Sequence, residues 1–171
     1  MTDPQVTAHL LPAAGSVPNH PRWPLLVYPG AVALSGVDPA SIFEALFARN
    51  RWPAAWRNGV HPFHHYHSDG HEVLGIYSGE VTVLFGGEGG VTLTARPGDV
   101  IVLPAGTGHK KLSSHGSLGV VGAYPDGRHP DLCIAKAADA ARAAAMVARV
   151  PLPACDPVFG EGGPLFEHWA A

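Results

Sequence analysis

"GVHPFHHYHSDGHEVLGIYSG", residues 59 to 79, sets five histidines and a glutamate in front of a short apolar run. The whole chain has eleven histidines, so the crowding calls for an explanation. Along an extended strand, residues two apart share a face, with Cα atoms roughly 7 Å apart. His65 and His67 form such a pair, with Tyr66 turned to the other side. Two neutral imidazoles so placed can converge on one ion, and imidazole suits Zn, Cu, Fe and Ni. His61 and His64 differ in parity, and Pro62 stops a strand from running cleanly through them.

The next ligand is ambiguous. Simple alternation from His67 places His71 on the same face and Glu72 on the opposite one. Ser68, Asp69 and Gly70 are turn residues, however, and alternation does not survive a turn. Both faces of "EVLGIY" (72 to 77) are apolar, so periodicity leaves His71 and Glu72 as open alternatives. A second segment, "RPGDVIVLPAGTGHK" (96 to 110), reads as a Pro-Gly turn, a buried strand, a glycine-rich turn and then His109. A strand followed by a tight turn can bring such a distant histidine back beside the first pair.

Working outward, residues 60 to 125 alternate short runs rich in Val, Ile, Leu, Thr and Tyr with Gly-containing turns. That spacing predicts an antiparallel sandwich or barrel, and the 21 glycines and 17 prolines agree with many tight turns. "PLLVYPGAVAL" (24 to 34) reads as a strand with a turn. "DPASIFEALFARN" (38 to 50) reads as a helix capped by Asp38, with Pro39 at its first position and an apolar face of Ile42, Leu46 and Phe47. "AADAARAAAMVARV" (137 to 150) is helical by alanine propensity. The tail keeps Phe159, Leu165, Phe166 and Trp169, and is expected to dock on the body. The organisation expected is one domain over 1–171. A core barrel at about 55–128 carries the strand and helix at 24–50 and the helix and tail at 137–171.

Composition narrows the function classes. Apolar residues make up 46% of the 171 and charged ones 15%, the profile of a folded globular chain. Net charge is -3 with no block of like charges, which points away from nucleic acid and membrane surfaces. No apolar run approaches the roughly 20 residues that span a bilayer. The N-terminus lacks a basic start followed by an apolar region, so no secretory signal is expected. Cys133 and Cys155 have no CxxC spacing and read as reduced thiols of a cytoplasmic protein.

With these pieces in place the chain resembles the cupins. Gly59, five residues, His65, one residue, His67, four residues, Glu72, six residues and Gly79 match the first cupin motif at every position. Gly98, five residues, Pro104, one residue, Gly106, two residues and His109 resemble the second. The second motif usually ends in Asn four residues beyond its histidine. Here Ser113 stands there, which is expected to alter a hydrogen bond near the site. Segments such as "VPNHPRWPLLVYPGA", "VVGAYP" and "DPVFGEGGPL" look like the YjlB-like branch, whose reaction is not established.

The resemblance implies an all-β cupin jelly roll, a double-stranded β-helix barrel with short flanking helices. Carried over position by position, it implies His65, His67, Glu72 and His109 as ligands of one divalent transition metal ion: Mn, Fe, Ni or Zn. Three imidazoles and one carboxylate would leave open positions for a chelating small molecule. The function expected is a metal-dependent enzyme of dioxygenase or isomerase type, the alternative being a non-catalytic binding or sensing cupin, and a homodimer in either case. Leu74, Ile76, Leu84, Val102 and Val120 are expected to line the barrel. His61, His64 and His71 read as bystanders or orienting partners. Tyr66 and Tyr77 read as outer-face packing ahead of cavity lining, Lys110 and Lys111 as a solvated strand edge ahead of a lure for an anionic substrate near His109, and Asp99 and Arg96 as turn residues.

Overall fold

In the computed structural model, which describes residues 5–170, strands dominate. In chain order they are β1 (Thr7–His9), β2 (Leu25–Tyr28), β3 (Ala54–Asn58), β4 (His65–Tyr66), β5 (Glu72–Phe85), β6 (Val91–Ala95), β7 (Val100–Leu103), β8 (His109–Ala123) and β9 (Cys133–Ile134). Helix α1 (Ala40–Arg49) lies between β2 and β3, while α2 (Ala140–Val147) and α3 (Leu165–His168) follow β9. Among the described residues, no helix is long and apolar enough to cross a membrane.

The long strands β5 and β8 run antiparallel along most of their lengths and belong to both halves of the molecule. The first part of β5 also pairs with β7, which continues to β2 and β1. The last part of β5 pairs with β6, and the start of β8 with β4 and then β9. All these pairings are antiparallel. Phe85, at the far end of β5 from Glu72, is the partner of His109. In a flat sheet Glu72 and His109 would therefore stand roughly 40 Å apart. Their side chains approach within 3.2 Å. The sheet has curled so that its two halves face each other across an interior, which is the jelly roll expected.

Which parity faces that interior changes along β5. Leu74 and Ile76 lie in the interior cluster, and so do Val81, Val83 and Phe85. Register shifts between Ile76 and Ser78 and between Ser78 and Glu80 insert the odd step that swaps even for odd positions. This corrects the expected lining. Leu84 falls on the opposite parity and is only half-buried. Val102 packs in the other core, with Phe43, Phe47 and Trp52 beneath α1. Ile76 and Val120 are buried in the interior core but do not border the cavity; Leu74 alone of the five does.

Helix α1 also departs from expectation. Its buried face is Ala40, Phe43 and Phe47, with Ile42 and Leu46 only partly covered. Gly75 decides this: a Cβ there would lie 2.5 Å from the Phe43 ring, so the bare backbone admits the aromatic. Asp38 does not cap the helix; its carboxylate binds Arg57 at 2.9 Å, and Arg57 also pairs with Glu44. Asp99 holds the turn before β7, accepting the N–H groups of Gly30 and Arg96 at 2.8 Å each. The tail docks as expected. Buried Asp156 accepts the Tyr28 hydroxyl at 2.6 Å and the Leu165 N–H at 3.1 Å, and Trp169 donates to Pro24 O at 2.8 Å. β1 lies outside every element expected from sequence, because three residues with no alternation carry no strand signal.

Candidate metal centre

His65 comes from β4, Glu72 from the first position of β5, and His109 from the first position of β8; His67 follows β4 directly. One ligand atom each from His67, Glu72 and His109 falls within 4.8 Å of the others. His65 lies beside this trio but outside it: its ring centroid is 3.9 Å from that of His109 and 6.3 Å from that of His67. All four side chains border one cavity of about 310 Å³, at the small end of the range for small-molecule sites. The turn at Ser68–Gly70 resets the alternation, so that Glu72 enters the cavity and His71 faces the other way.

The histidines share a feature that their spacing does not reveal. Nδ1 of His65 faces the Phe63 carbonyl at 2.9 Å, and Nδ1 of His109 faces the Thr107 carbonyl at 3.0 Å. Nδ1 of His67 faces the Asp131 carbonyl. A carbonyl can only accept, so each ring carries its proton on Nδ1. Nε2 is then left toward the cavity, the arrangement of a metal-binding imidazole. The carboxylate meets two of these nitrogens: Glu72 Oε2 lies 3.1 Å from His67 Nε2, and Oε1 lies 3.2 Å from His109 Nε2. Oε1 is fully buried and makes no hydrogen bond among the described residues. An acceptor facing a lone pair at that distance is relieved by a proton or a metal cation between them, and the donor set of imidazoles and a carboxylate is one that transition metals take. The residues therefore fit a divalent ion.

Burial and charge set the protonation states without an ion. Burial, reinforced by neighbouring His109, pushes His65 down to about 3, keeping it neutral. Burial also pulls His67 down, but the charge and hydrogen bond of Glu72, with Asp131 beyond, reverse this and raise it to about 9. Burial opposes ionisation of Glu72, yet the facing imidazoles hold its carboxyl well below the usual range. The metal-free centre thus holds one proton on His67 that an ion would displace.

His71 lies on the far side. Its Nδ1 accepts the Ala105 N–H at 2.9 Å and its Nε2 donates to Pro151 O at 2.9 Å. With Trp23 and Trp169 rings 5.6 and 4.9 Å away, it is a core residue with both nitrogens in use. His61 borders the cavity, stacked on Phe63 with centroids 4.8 Å apart. His64 does not border it. Tyr66 is fully buried away from the cavity, and Tyr77 packs against the outer core. Lys111 borders the cavity whereas Lys110 does not, so the two lysines read together from the sequence differ in place. Ser113 is exposed opposite Thr82, too far along β8 to touch the site's hydrogen bonds.

Several residues of the site escape sequence reasoning. Trp56 and Asn58 stand two apart on β3 and both face the cavity. Trp56 lies over its sheet partner Gly122, where a Cβ would come within 2.1 Å of the ring. Tyr124 accepts the Trp56 indole N–H at 3.0 Å, and burial together with Glu72 holds its phenol up in the protonated form. Asp131, behind His67, accepts from the Ser68 N–H at 2.7 Å and from the Ser68 hydroxyl. Its own N–H donates to Asp69 at 2.9 Å. Alternation at the end of "VVGAYP" would have found Tyr124; nothing in the chain near residue 131 signals its contact with residues 67 to 69.

Compared with known proteins, the chain is 39% identical over 165 residues to the uncharacterised protein YjlB of Bacillus subtilis (strain 168), across 96% of this chain and 97% of that one. No family model matches. Among solved structures, a DUF861-family protein of Thermotoga maritima is 25% identical with a TM-score of 0.32, over 53% of this chain and 96% of its own. RmlC of Streptococcus suis, solved with dTDP-D-xylose, is 12% identical with a TM-score of 0.37, over 74% and 73%.

Proposed function

The chain belongs to the YjlB-like cupins, and from that premise we propose that it is a metal-dependent enzyme, of dioxygenase or isomerase type, acting on a small polar chelating molecule. His65, His67, Glu72 and His109 would hold one divalent ion of Mn, Fe, Ni or Zn. The observation that carries the reading is the shared Nδ1-to-carbonyl arrangement of three histidines around the unpartnered Glu72 oxygen.

A bound ion supplies Lewis acidity, and a redox-active one supplies electrons. The chain's own residues do the rest. The three carbonyls fix the tautomers, so Nε2 is the nitrogen that each imidazole has left to offer an ion. Tyr124, protonated and with its oxygen already accepting from Trp56, has its O–H free for Glu72 or a ligand. Trp56 and Leu74 form an apolar wall that excludes water from a small molecule's non-polar end. We assign the protein to the cytoplasm as a homodimer; a strict monomer in size-exclusion chromatography across concentrations would remove the dimer.

The test is elemental analysis of protein purified from its native host, beside His65→Ala and Glu72→Gln. One ion per chain in the wild type and loss in both variants is expected; unchanged metal in both would dismantle the site. Metal-loaded protein that captured chelating molecules tightly but turned none over would belong with the binding and sensing cupins instead.

A further inference from the structure

The charges bordering the cavity are unequal. Among the described residues Glu72 is the sole carboxylate there, its two oxygens facing His67 and His109. Three neutral imidazoles and one carboxylate leave a divalent ion with a formal charge of about +1. Beyond the ligands, the ionised side chain on the wall is Lys111. Among the described residues it has no carboxylate within ion-pair distance.

Its place follows from the strand. Lys111 lies two residues after His109 on β8, hence on the same face and roughly 7 Å along. Its N–H donates to His61 O at 2.9 Å, which ties it to the loop that carries His61 to the same wall. Lys110, one residue back, points to the opposite face. Lys111 is half-buried and has no carboxylate partner among the described residues, and beside a site that would be net positive once loaded this charge distribution favours an anion in the cavity.

We infer that the cavity takes a small organic anion, a 2-oxo or 2-hydroxy carboxylate, and that Lys111 selects it by its charge. Adjacent oxygens of such an acid would chelate a bound ion, and its negative charge would be matched by Lys111 on the same wall. Asn58 and the Tyr124 O–H supply further donors on the same wall. The cavity volume suits a molecule of this size. The inference rests on the metal-centre reading above.

Zinc-loaded wild type, Lys111→Met and Lys110→Met are titrated calorimetrically with pyruvate and with its uncharged analogue pyruvamide, after each protein's zinc content has been measured. The expectation is that pyruvate binds wild type and Lys110→Met alike. Lys111→Met should retain its zinc yet bind pyruvate about tenfold or more weakly, and pyruvamide should bind all three poorly. Equal binding of pyruvate and pyruvamide to the wild type overturns the inference, whatever the stability of the variants. So does pyruvate binding that ignores Lys111, or a zinc-loaded wild type that binds no pyruvate. A wild type that holds no zinc overturns the metal-centre reading and this inference together.

Discussion

His71 and Glu72 are neighbours in the chain, yet they belong to two different histidine clusters with opposite chemistry. On one side of β5, His71 and His20 pack among Trp23 and Trp169, with His20 stacked 4.5 Å from Trp23. There each nitrogen that matters is matched to a backbone group: His20 Nδ1 accepts from Trp23 N–H at 2.9 Å, and His71 uses both ring nitrogens. On the other side, His65, His67 and His109 give Nδ1 to backbone carbonyls and turn Nε2 toward a cavity, where His67 and His109 meet the Glu72 carboxylate. What separates the two sets here is the role of Nδ1: it accepts a backbone N–H in His20 and His71, and it faces a backbone carbonyl in His65, His67 and His109. Burial does not separate them, since His71 and His109 are 1% and 2% exposed.

The largest expected effect is acid destabilisation on the structural side. Burial pushes His71 down to about 4, and burial with Arg22 does the same for His20. As pH falls through about 6.5 the unfolded chain takes up these protons first, so the contribution of these two residues to stability drops between pH 6.5 and 4 and is lost below. For His71 alone this amounts to about 3 kcal/mol. Urea midpoints of the metal-free protein at pH 7 and pH 4 measure it, and His71→Gln should start less stable but show a shallower decline. A decline unaffected by His71→Gln would erase the distinction between the clusters.

On the cavity side, Glu72→Gln and His109→Ala should each weaken zinc binding by about 100-fold or more, while His71→Gln leaves it within a few-fold; competition with a chromogenic chelator reads this. Zinc uptake at pH 7.5 should release about one proton, the one that Glu72 holds on His67, seen as buffer-dependent heat in calorimetry. Heat independent of the buffer would contradict the protonation described. Asp131→Ala, which undoes the Ser68 clasp behind His67, should cost about tenfold in zinc affinity and little in melting temperature.

The fold was legible where patterns are local. Turn residues and short apolar runs gave the antiparallel strands, and two spaced motifs gave the resemblance and its ligand set. Alternation failed at two kinds of place. The turn at Ser68–Gly70 left His71 against Glu72 undecided, and the bulges near Ser78 reversed parity, so that Leu84 faces outward. The Asp131 support of His67 was invisible because it joins residues |i−j| = 64 apart through a carbonyl, which every residue type carries. Trp56 needed its partner Gly122, a register that no single segment reveals.

Metal K-edge X-ray absorption of the zinc-loaded protein tests the central claim most directly. A single environment is predicted, with about three imidazole nitrogens and a carboxylate oxygen around one ion, and no sulfur. Fewer than two imidazoles, a sulfur scatterer, or a spectrum unchanged by Glu72→Gln and His65→Ala would contradict it.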